Sequence, residues 1–151
     1  MIICRYNIQQ AVASKIGVIE HMVEKESLDV LILTECDILH GEDPPNVKGF
    51  NTYYQNSSIK RICVYVKIGM NPMEVKIISS QDPALPAVLL NFANFTLICV
   101  YNEFKLNAYL GNATKLTKLK MFERLQLFYD NLITDIPVSK NRVLIGDINL
   151  N

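Results

Sequence analysis

The segment 29–35 reads Asp-Val-Leu-Ile-Leu-Thr-Glu, and its four apolar residues form an uninterrupted run that decides the fold. Such a run is typical of a β-strand that is buried on both faces of a sheet. Residues 2–8 form another short apolar stretch and predict a second strand. Between the two, one apolar stripe of a helix is indicated by residues spaced four, three and four apart, namely Val12, Ile16, Ile19 and Val23. The chain is therefore predicted to open with strand, helix, strand.

Downstream of residue 50 the sequence is rich in β-branched and aromatic residues. These residues predict a meander of about five strands, at 50–55, 62–68, 75–78, 88–92 and 95–101. A second amphipathic helix is predicted over 116–132, ending near Pro137, and a final strand over 142–145. The order of elements predicts a single α/β or α+β domain over residues 1–151, with sheets inside and helices outside.

The amino-acid composition excludes several classes of protein. Fifteen Lys and Arg balance fifteen Asp and Glu, so the chain has no overall positive field of the kind that steers proteins onto nucleic acid. A hydrophobic content of 50% excludes a disordered chain. The longest nearly unbroken apolar stretch, 84–93, is about half of the roughly 20 residues that a membrane span needs. No secretory signal is visible, so an intracellular location, cytoplasmic or nuclear, and reduced cysteines are expected.

Polar residues follow four of the predicted strands at the point where each strand ends. They are Asn7, Glu35, Tyr101 and, after the last strand, Asp147 and Asn149. Strands joined by a helical crossover run parallel, so their carboxyl ends open onto one crevice. Residues two apart on an extended chain point to the same side, which puts the Asp147 carboxyl beside the Asn149 amide.

Each of these residues also has an ordinary structural interpretation when it is taken alone. Glu35 can be a strand end that has reached water, and the run Gly-Asp-Ile-Asn at 146–149 has the composition of a turn. Asn7 can be a turn residue or a helix cap, and Tyr101 can be a half-buried aromatic residue whose hydroxyl meets water. The functional interpretation depends on the whole set occurring in this order.

In this order, the set resembles the motifs of the endonuclease/exonuclease/phosphatase superfamily, which includes abasic-site endonucleases and inositol polyphosphate 5-phosphatases. The string at 29–35 resembles the motif in which Gln or Thr precedes a metal-binding Glu. Residues 143–149 resemble the Gly-Asp-Phe-Asn motif, with Ile148 in place of Phe. The resemblance covers the whole chain and implies a four-layer sandwich of two packed β-sheets flanked by helices, with the second sheet incomplete.

The resemblance also implies a role for each residue. Glu35, helped by Asn7, would bind Mg²⁺ or Mn²⁺, which suit hard oxygen ligands. Asp147 would orient or activate the attacking water, Asn149 would hold a phosphate oxygen, and Tyr101 would form a hydrogen bond with the phosphate. The implied activity is divalent-metal-dependent hydrolysis of a phosphodiester bond.

The sequence departs from the family pattern at its end. The family's closing Ser-Asp-His-type motif, whose His contacts the scissile phosphate, is absent, and His21 and His40 lie elsewhere. We therefore expect a fragment that lacks its C-terminal strands and His motif and has weak or no activity by itself. Unpaired sheet edges in such a fragment favour oligomers or poor solubility.

Within the superfamily, the Leu-Thr-Glu string at 33–35 and the Leu after Gly-Asp-Ile-Asn most resemble the endonuclease domains of non-LTR retrotransposons. This resemblance implies duplex DNA as substrate, no membrane partner, and a reverse transcriptase domain in the full-length polypeptide. Two alternatives remain open, a phosphatase acting on small phosphoesters such as inositol phosphates and a non-catalytic degenerate fragment. Basic residues that could contact DNA phosphates, or simply face solvent, are Lys60, Arg61, Lys67, Lys115, Lys118, Lys120 and Arg124.

Overall fold

The computed structural model describes residues 1–9, 12–39, 41–55, 59–78, 85–102, 115–134, 136 and 141–147. The predicted strands and helices all form, although the second, fourth and last strands are longer than predicted. A 3-10 turn, Val12–Lys15, leads into the first helix. The elements in chain order are β1 (Ile3–Asn7), α1 (Ile16–Lys25), β2 (Val30–Leu39), β3 (Phe50–Tyr54), β4 (Ile59–Lys67), β5 (Glu74–Ile78), β6 (Ala87–Asn91), β7 (Phe95–Tyr101), α2 (Lys115–Thr134) and β8 (Asn141–Asp147).

The strands form two mixed sheets of four strands each. Sheet A has the order β1-β2-β4-β3, and sheet B has the order β5-β6-β7-β8. The pairs β1/β2 and β7/β8 are parallel, and the other neighbours are antiparallel. The five strands predicted as one meander therefore divide between the sheets, which corrects that prediction. The chain changes sheets between β4 and β5, where Gly69 adopts a φ of +98° that favours glycine.

Sheet A is covered on both faces, as the apolar run in β2 predicts. Val30 and Ile32 pack into the core between the sheets, whereas Leu31 and Leu33 pack into the core beneath α1. All four side chains are fully buried. Burial of each such side chain stabilises the fold by about 1.5–3 kcal/mol. The stripe predicted for the first helix supplies the other side of the outer core, with Val12, Ile19 and Val23 buried there.

Sheet B repeats this arrangement with the second helix. In β7, Leu97 and Cys99 face sheet A, whereas Ile98 and Val100 share a core with Leu132 of α2. The four layers are therefore helix, sheet, sheet, helix, as the family resemblance implied. Neither helix in the described ranges is long and apolar enough to cross a bilayer.

Burial changes the acid–base behaviour of several side chains in these cores. Cys36, Cys63 and Cys99 are buried free thiols, and Cys4 is partly exposed. A hydrogen bond with Cys63, followed by burial, raises the pKa of the Cys36 thiol. Burial raises the pKa of the Cys99 thiol and of the Tyr65 phenol. At alkaline pH these groups therefore keep their protons in the folded protein, whereas the same groups in the unfolded chain lose them.

We predict that the free energy of unfolding falls as the pH rises above the ordinary thiol pKa of 9.0. There the unfolded chain binds fewer protons than the folded chain, so each buried group weakens the fold by up to about 1.4 kcal/mol per pH unit. Denaturant titrations under reducing conditions between pH 7 and pH 10.5 measure this slope, and Cys99→Ala should make it shallower. A stability that does not change over this range would contradict the prediction.

Strand β8 lies unusually close to β7 at Gly146, which pairs with Val100. A Cβ added at Gly146 would overlap the Val100 carbonyl oxygen and lie 2.6 Å from Val100 Cγ2. The backbone of β7 at Val100 cannot move away from Gly146 without breaking the hydrogen bonds between β7 and β8. The glycine is therefore required by the close approach of the two strands, and it immediately precedes Asp147.

We predict that Gly146→Ala lowers the free energy of unfolding by about 1–3 kcal/mol or more because the added methyl group overpacks the β7/β8 interface. Gly17→Ala is the matched control, because Gly17 lies in α1 with nothing within 4 Å of an added Cβ. The control should be neutral or stabilise by up to about 1 kcal/mol. Denaturant unfolding measures both variants, and equal effects would contradict the prediction.

Candidate active site

Two parallel strand pairs, one in each sheet, carry polar residues to the same end of the sandwich. In sheet A, β1 and β2 run parallel and Asn7 pairs with Thr34. In sheet B, β7 and β8 run parallel and Tyr101 pairs with Asp147. Because the sheets pack face to face, the carboxyl ends of all four strands meet, as expected for ligand sites in sheets with parallel strands.

The Asp147 carboxylate links the two sheets. Its Oδ2 accepts a hydrogen bond from Arg5 Nη2 at 2.5 Å and one from Asn7 Nδ2 at 3.4 Å. Arg5 Nη2 also donates to Thr34 Oγ1 at 3.4 Å. The side chains of Asp147 and Arg5 are 18% and 31% exposed, so solvent screens this ion pair only in part.

A second link between the sheets joins Tyr101 of β7 to Glu35 of β2. The Tyr101 hydroxyl donates to Glu35 Oε1 at 3.3 Å. The Tyr101 ring is buried in the core between the sheets, and Glu35 is half-buried at its edge. The structure thus gathers Asn7, Glu35, Tyr101 and Asp147, four of the five residues singled out in the sequence, at one end of the molecule.

Glu35 lies in a β-bulge. The register between β2 and β4 shifts between Thr34 and Ile38, and Glu35 and Asp37 have φ angles of +57° and +51°. A left-handed backbone is unfavourable for residues with a Cβ, and each instance costs about 1–3 kcal/mol. Cys36, between them, is buried, while both acidic side chains remain half-buried at the solvent edge. The bulge therefore interrupts the pairing of β2 with β4, which resumes at Ile38, and leaves two carboxylates at the edge of the sheet.

An ion pair joins the bulge to β4, its neighbour in sheet A. Asp37 Oδ1 accepts a hydrogen bond from Arg61 Nη1 of β4, and the two side chains are only 17% and 19% exposed. Cys36 Sγ lies 3.4 Å from the Leu33 carbonyl oxygen on the inner side. These contacts hold the backbone that follows Glu35, and the Tyr101 hydroxyl contacts the carboxylate itself.

Two residues of this network, Arg5 and Asp37, were not singled out in the sequence. A signal for Arg5 exists, because it lies two residues before Asn7 on a strand and therefore on the same side. No sequence signal marks Asp37. Its position depends on a backbone with positive φ, which is unusual for a residue other than glycine and is not expected from the sequence.

The basic residues considered for DNA contacts have different surroundings. Lys60 is only 3% exposed, and its Nζ donates to backbone carbonyl oxygens. Arg61 pairs with Asp37, beside the site. Lys67 Nζ lies 3.7 Å from Asp29 Oδ1, at the opposite end of sheet A. Of Lys60, Arg61 and Lys67, it is Arg61 whose side chain contacts an acidic residue of the bulge.

Other residues named in the sequence lie away from the site or outside the described residues. His21 is exposed on α1, and Lys120 and Arg124 are exposed on α2. Outside the described residues lie Asn149, His40 and the side chains of Lys115 and Lys118.

Oxygen atoms at the site are suited to a hard divalent cation. Glu35 Oε2 accepts no hydrogen bond from a described residue. Asn7 Oδ1 accepts the Gln9 N–H at 3.0 Å and has a second lone pair. A carboxylate and an amide oxygen, completed by water, fit Mg²⁺. Since the described ranges contain no group of three or more His, Cys, Asp or Glu that could hold a metal, a cation here would depend mainly on Glu35.

Two cavities lie outside this group of residues. One, of about 600 Å³, lies between α1 and the amino end of β3 and includes Glu20, Glu24 and Lys48 in its lining. The other, of about 440 Å³, includes Tyr54 and Lys60 and lies beside the end of β2. Neither lining includes a described residue of the candidate site, so we assign the site from its side-chain chemistry rather than from cavity size.

Solved structures with the same fold include several phosphoester hydrolases. The 3'-5' exonuclease NExo of Neisseria meningitidis has a TM-score of 0.71 and 17% identity, over 99% of this chain and 58% of that one. An AP endonuclease from Archaeoglobus fulgidus has a TM-score of 0.68 and 16% identity, over 99% and 58%. D. rerio TDP2, humanized by 14 mutations, has a TM-score of 0.64 and 11% identity, over 99% and 62%.

These neighbours are in the endonuclease/exonuclease/phosphatase superfamily, and the likeness confirms the fold that the sequence resemblance implied. The chain spans about three-fifths of the length of each of them. No protein-family model and no curated protein matches the sequence. At identities of 11–17% the likeness establishes the fold alone.

We predict that Asp37→Asn lowers the free energy of unfolding by about 1–3 kcal/mol because it removes a carboxylate from a largely buried guanidinium. Asparagine keeps the size of the side chain and tolerates left-handed backbone, so the variant tests the charge. Lys67→Gln removes an exposed partner of Asp29 and should cost no more than about 1 kcal/mol. Urea titration compares the two variants, and an Asp37→Asn loss no larger than that of the control would contradict the role given to the ion pair.

Proposed function

We propose that this chain is the catalytic part of a divalent-cation-dependent phosphodiester hydrolase that acts on DNA. The observation that carries the proposal is the meeting of Asn7, Glu35, Tyr101 and Asp147 at the carboxyl ends of four strands, with hydrogen bonds that cross between the sheets. DNA is favoured as substrate because two structural neighbours hold it. The Neisseria NExo 3' phosphatase is bound to a product DNA hairpin, and D. rerio TDP2 is complexed with a single-strand DNA product.

The chemistry would be attack of water on phosphorus. Asp147 Oδ2 is occupied by donors from β1, so Oδ1 would accept a proton as the water oxygen bonds to phosphorus. The bond from phosphorus to the leaving oxygen then breaks, and that oxygen takes a proton from solvent. On substrate binding the Tyr101 hydroxyl would turn its single proton from Glu35 to a phosphate oxygen, and the Asn149 amide would donate to another, where negative charge develops.

Glu35 and Asn7 would hold Mg²⁺ or Mn²⁺. When bound, such a cation supplies neutralisation of phosphate charge and stabilisation of the leaving oxygen. The bulge and its Asp37–Arg61 ion pair would keep the Glu35 carboxylate pointing toward this position before any ligand arrives.

Among DNA hydrolases, the finer proposal is an endonuclease of the non-LTR retrotransposon type that nicks duplex DNA. Its support is the Leu-Thr-Glu string at 33–35 and the run Gly-Asp-Ile-Asn-Leu at 146–150. A reverse transcriptase domain would then belong to the same polypeptide, and the site of action would be intracellular.

Phosphatase activity on a small phosphoester is the second candidate. A mannosyl-6-phosphatase of Bacteroides thetaiotaomicron has a TM-score of 0.58 and 12% identity, over 97% of this chain and 64% of that one. The residues gathered here can serve either substrate, because both reactions add water to phosphorus.

We predict that the full-length protein nicks supercoiled plasmid in the presence of Mg²⁺ or Mn²⁺, and that Asp147→Ala and Glu35→Gln each reduce the rate by about 100-fold or more. The first variant removes the proton acceptor, and the second weakens the cation ligand. Conversion to nicked circles measures the rate, and Lys67→Gln, at the opposite end of sheet A, should retain full activity.

Each result has a defined meaning. Nicking that is undiminished in chelator would remove the cation from the proposal. Release of inorganic phosphate from inositol phosphates without nicking would favour the phosphatase. If a folded protein catalyses neither reaction, that result would favour the non-catalytic alternative.

A further inference from the structure

Arg5 is the one described cation within hydrogen-bond distance of a carboxylate proposed to take part in the reaction. It lies on β1 in sheet A, and its Nη2 donates to Asp147 Oδ2 of β8 in sheet B at 2.5 Å. The two residues are 142 positions apart in sequence. No role is given to Arg5 by the motifs considered above.

The two donors from β1 bind the same oxygen of Asp147. Asn7 Nδ2 reaches Oδ2 at 3.4 Å, a long and weak hydrogen bond, whereas the bond from Arg5 is short. The carboxylate torsion of Asp has a broad energy minimum, so a side chain held only by Asn7 would rotate. Arg5 therefore decides which oxygen is occupied and which is available to a water molecule.

The charges at the site lead to the same interpretation. Glu35 and Asp147 lie at the same end of the sandwich, and two carboxylates would otherwise compete for one cation. Pairing with the Arg5 guanidinium compensates Asp147 and leaves Glu35, which accepts a hydrogen bond from the Tyr101 hydroxyl, as the better cation ligand. The two carboxylates are thus given different tasks by their partners.

Arg5 makes a second, longer contact from the same nitrogen. Its Nη2 also donates to Thr34 Oγ1 at 3.4 Å, and Thr34 is fully buried. One guanidinium nitrogen thus joins a fixed point on β2 to the end of β8.

From these contacts we infer that Arg5 is a positioning residue for the hydrolysis. It holds Asp147 Oδ2 so that Oδ1 accepts the proton of the attacking water, and it reserves the divalent cation for Glu35. This inference rests on the proposed function of the same site.

Kinetics of Arg5→Gln and Arg5→Lys in the full-length protein test the inference. Arg5→Gln should lower kcat for plasmid nicking by about 10- to 100-fold with KM changed by no more than about 2-fold, because the reacting groups are misplaced while DNA binding is retained. Arg5→Lys should recover part of the loss, since it keeps the charge but lacks the planar guanidinium. A KM that rises while kcat is unchanged would overturn the inference, because it would mean that Arg5 binds DNA directly.

A double-mutant comparison separates positioning from a purely structural role. In the Asp147→Ala background, Arg5→Gln should reduce the residual rate by no more than about 2-fold, since the group that it positions is gone. A further loss as large as that in the parent protein would overturn the inference. Lys67→Gln, which also removes the cation of an Asp pair, is the matched control and should change neither kcat nor KM.

A spectroscopic readout keeps this inference distinct from the proposed function. The Arg5 guanidinium N–H signals should be resolved in the NMR spectrum of the folded protein and should broaden or shift in Asp147→Ala, because the ion pair slows guanidinium rotation. Unchanged signals would overturn the inference even in an active enzyme. If the signals respond but the protein hydrolyses no phosphoester, the proposed function fails, and with it the role of Arg5 in hydrolysis, while the contact itself stands.

Discussion

The packing of β2 against β7 is the constraint on which the rest of the structure depends. Both strands are buried on both faces, so each must direct one row of side chains at the opposite sheet and the other row at a helix. A slip of one residue in either strand would exchange the two rows, and the side chains would no longer pack well against the opposite sheet or the helix. The chain therefore has little choice in where these strands end, and Glu35 and Tyr101 come within hydrogen-bond distance as a result.

The candidate site extends this arrangement with one parallel neighbour on each central strand. β1 runs beside β2 and β8 runs beside β7, which brings Arg5 and Asn7 to Asp147 from the other sheet. Each carboxylate then has its own environment, a guanidinium for Asp147 and a phenol for Glu35. The proposed separation of cation binding by Glu35 from proton transfer by Asp147 would follow from these different partners.

Much of the fold could be predicted because apolar periodicity is a local property. The stripe in α1 and the continuous run in β2 are visible over a few residues, and so are the polar residues that end the strands. The division of the predicted meander between two sheets could not be predicted, since the pattern of β5 is the same whichever partner it has. The bulge at Glu35 was missed because left-handed backbone at a glutamate leaves no mark in sequence. Arg5 was missed because its partner is 142 residues away, and Asn149 lies outside the described residues.

A site that is shared between two layers has a practical consequence. Any small molecule that contacts both Glu35 in sheet A and Asp147 in sheet B would link the two sheets. Its binding free energy would add to the free energy of unfolding. The melting temperature would then rise with ligand concentration, with about 2.7 kcal/mol of added stability at 100 times the dissociation constant. A thermal-shift screen of nucleotides, sugar phosphates and divalent ions could therefore identify what this crevice accepts before any turnover is observed.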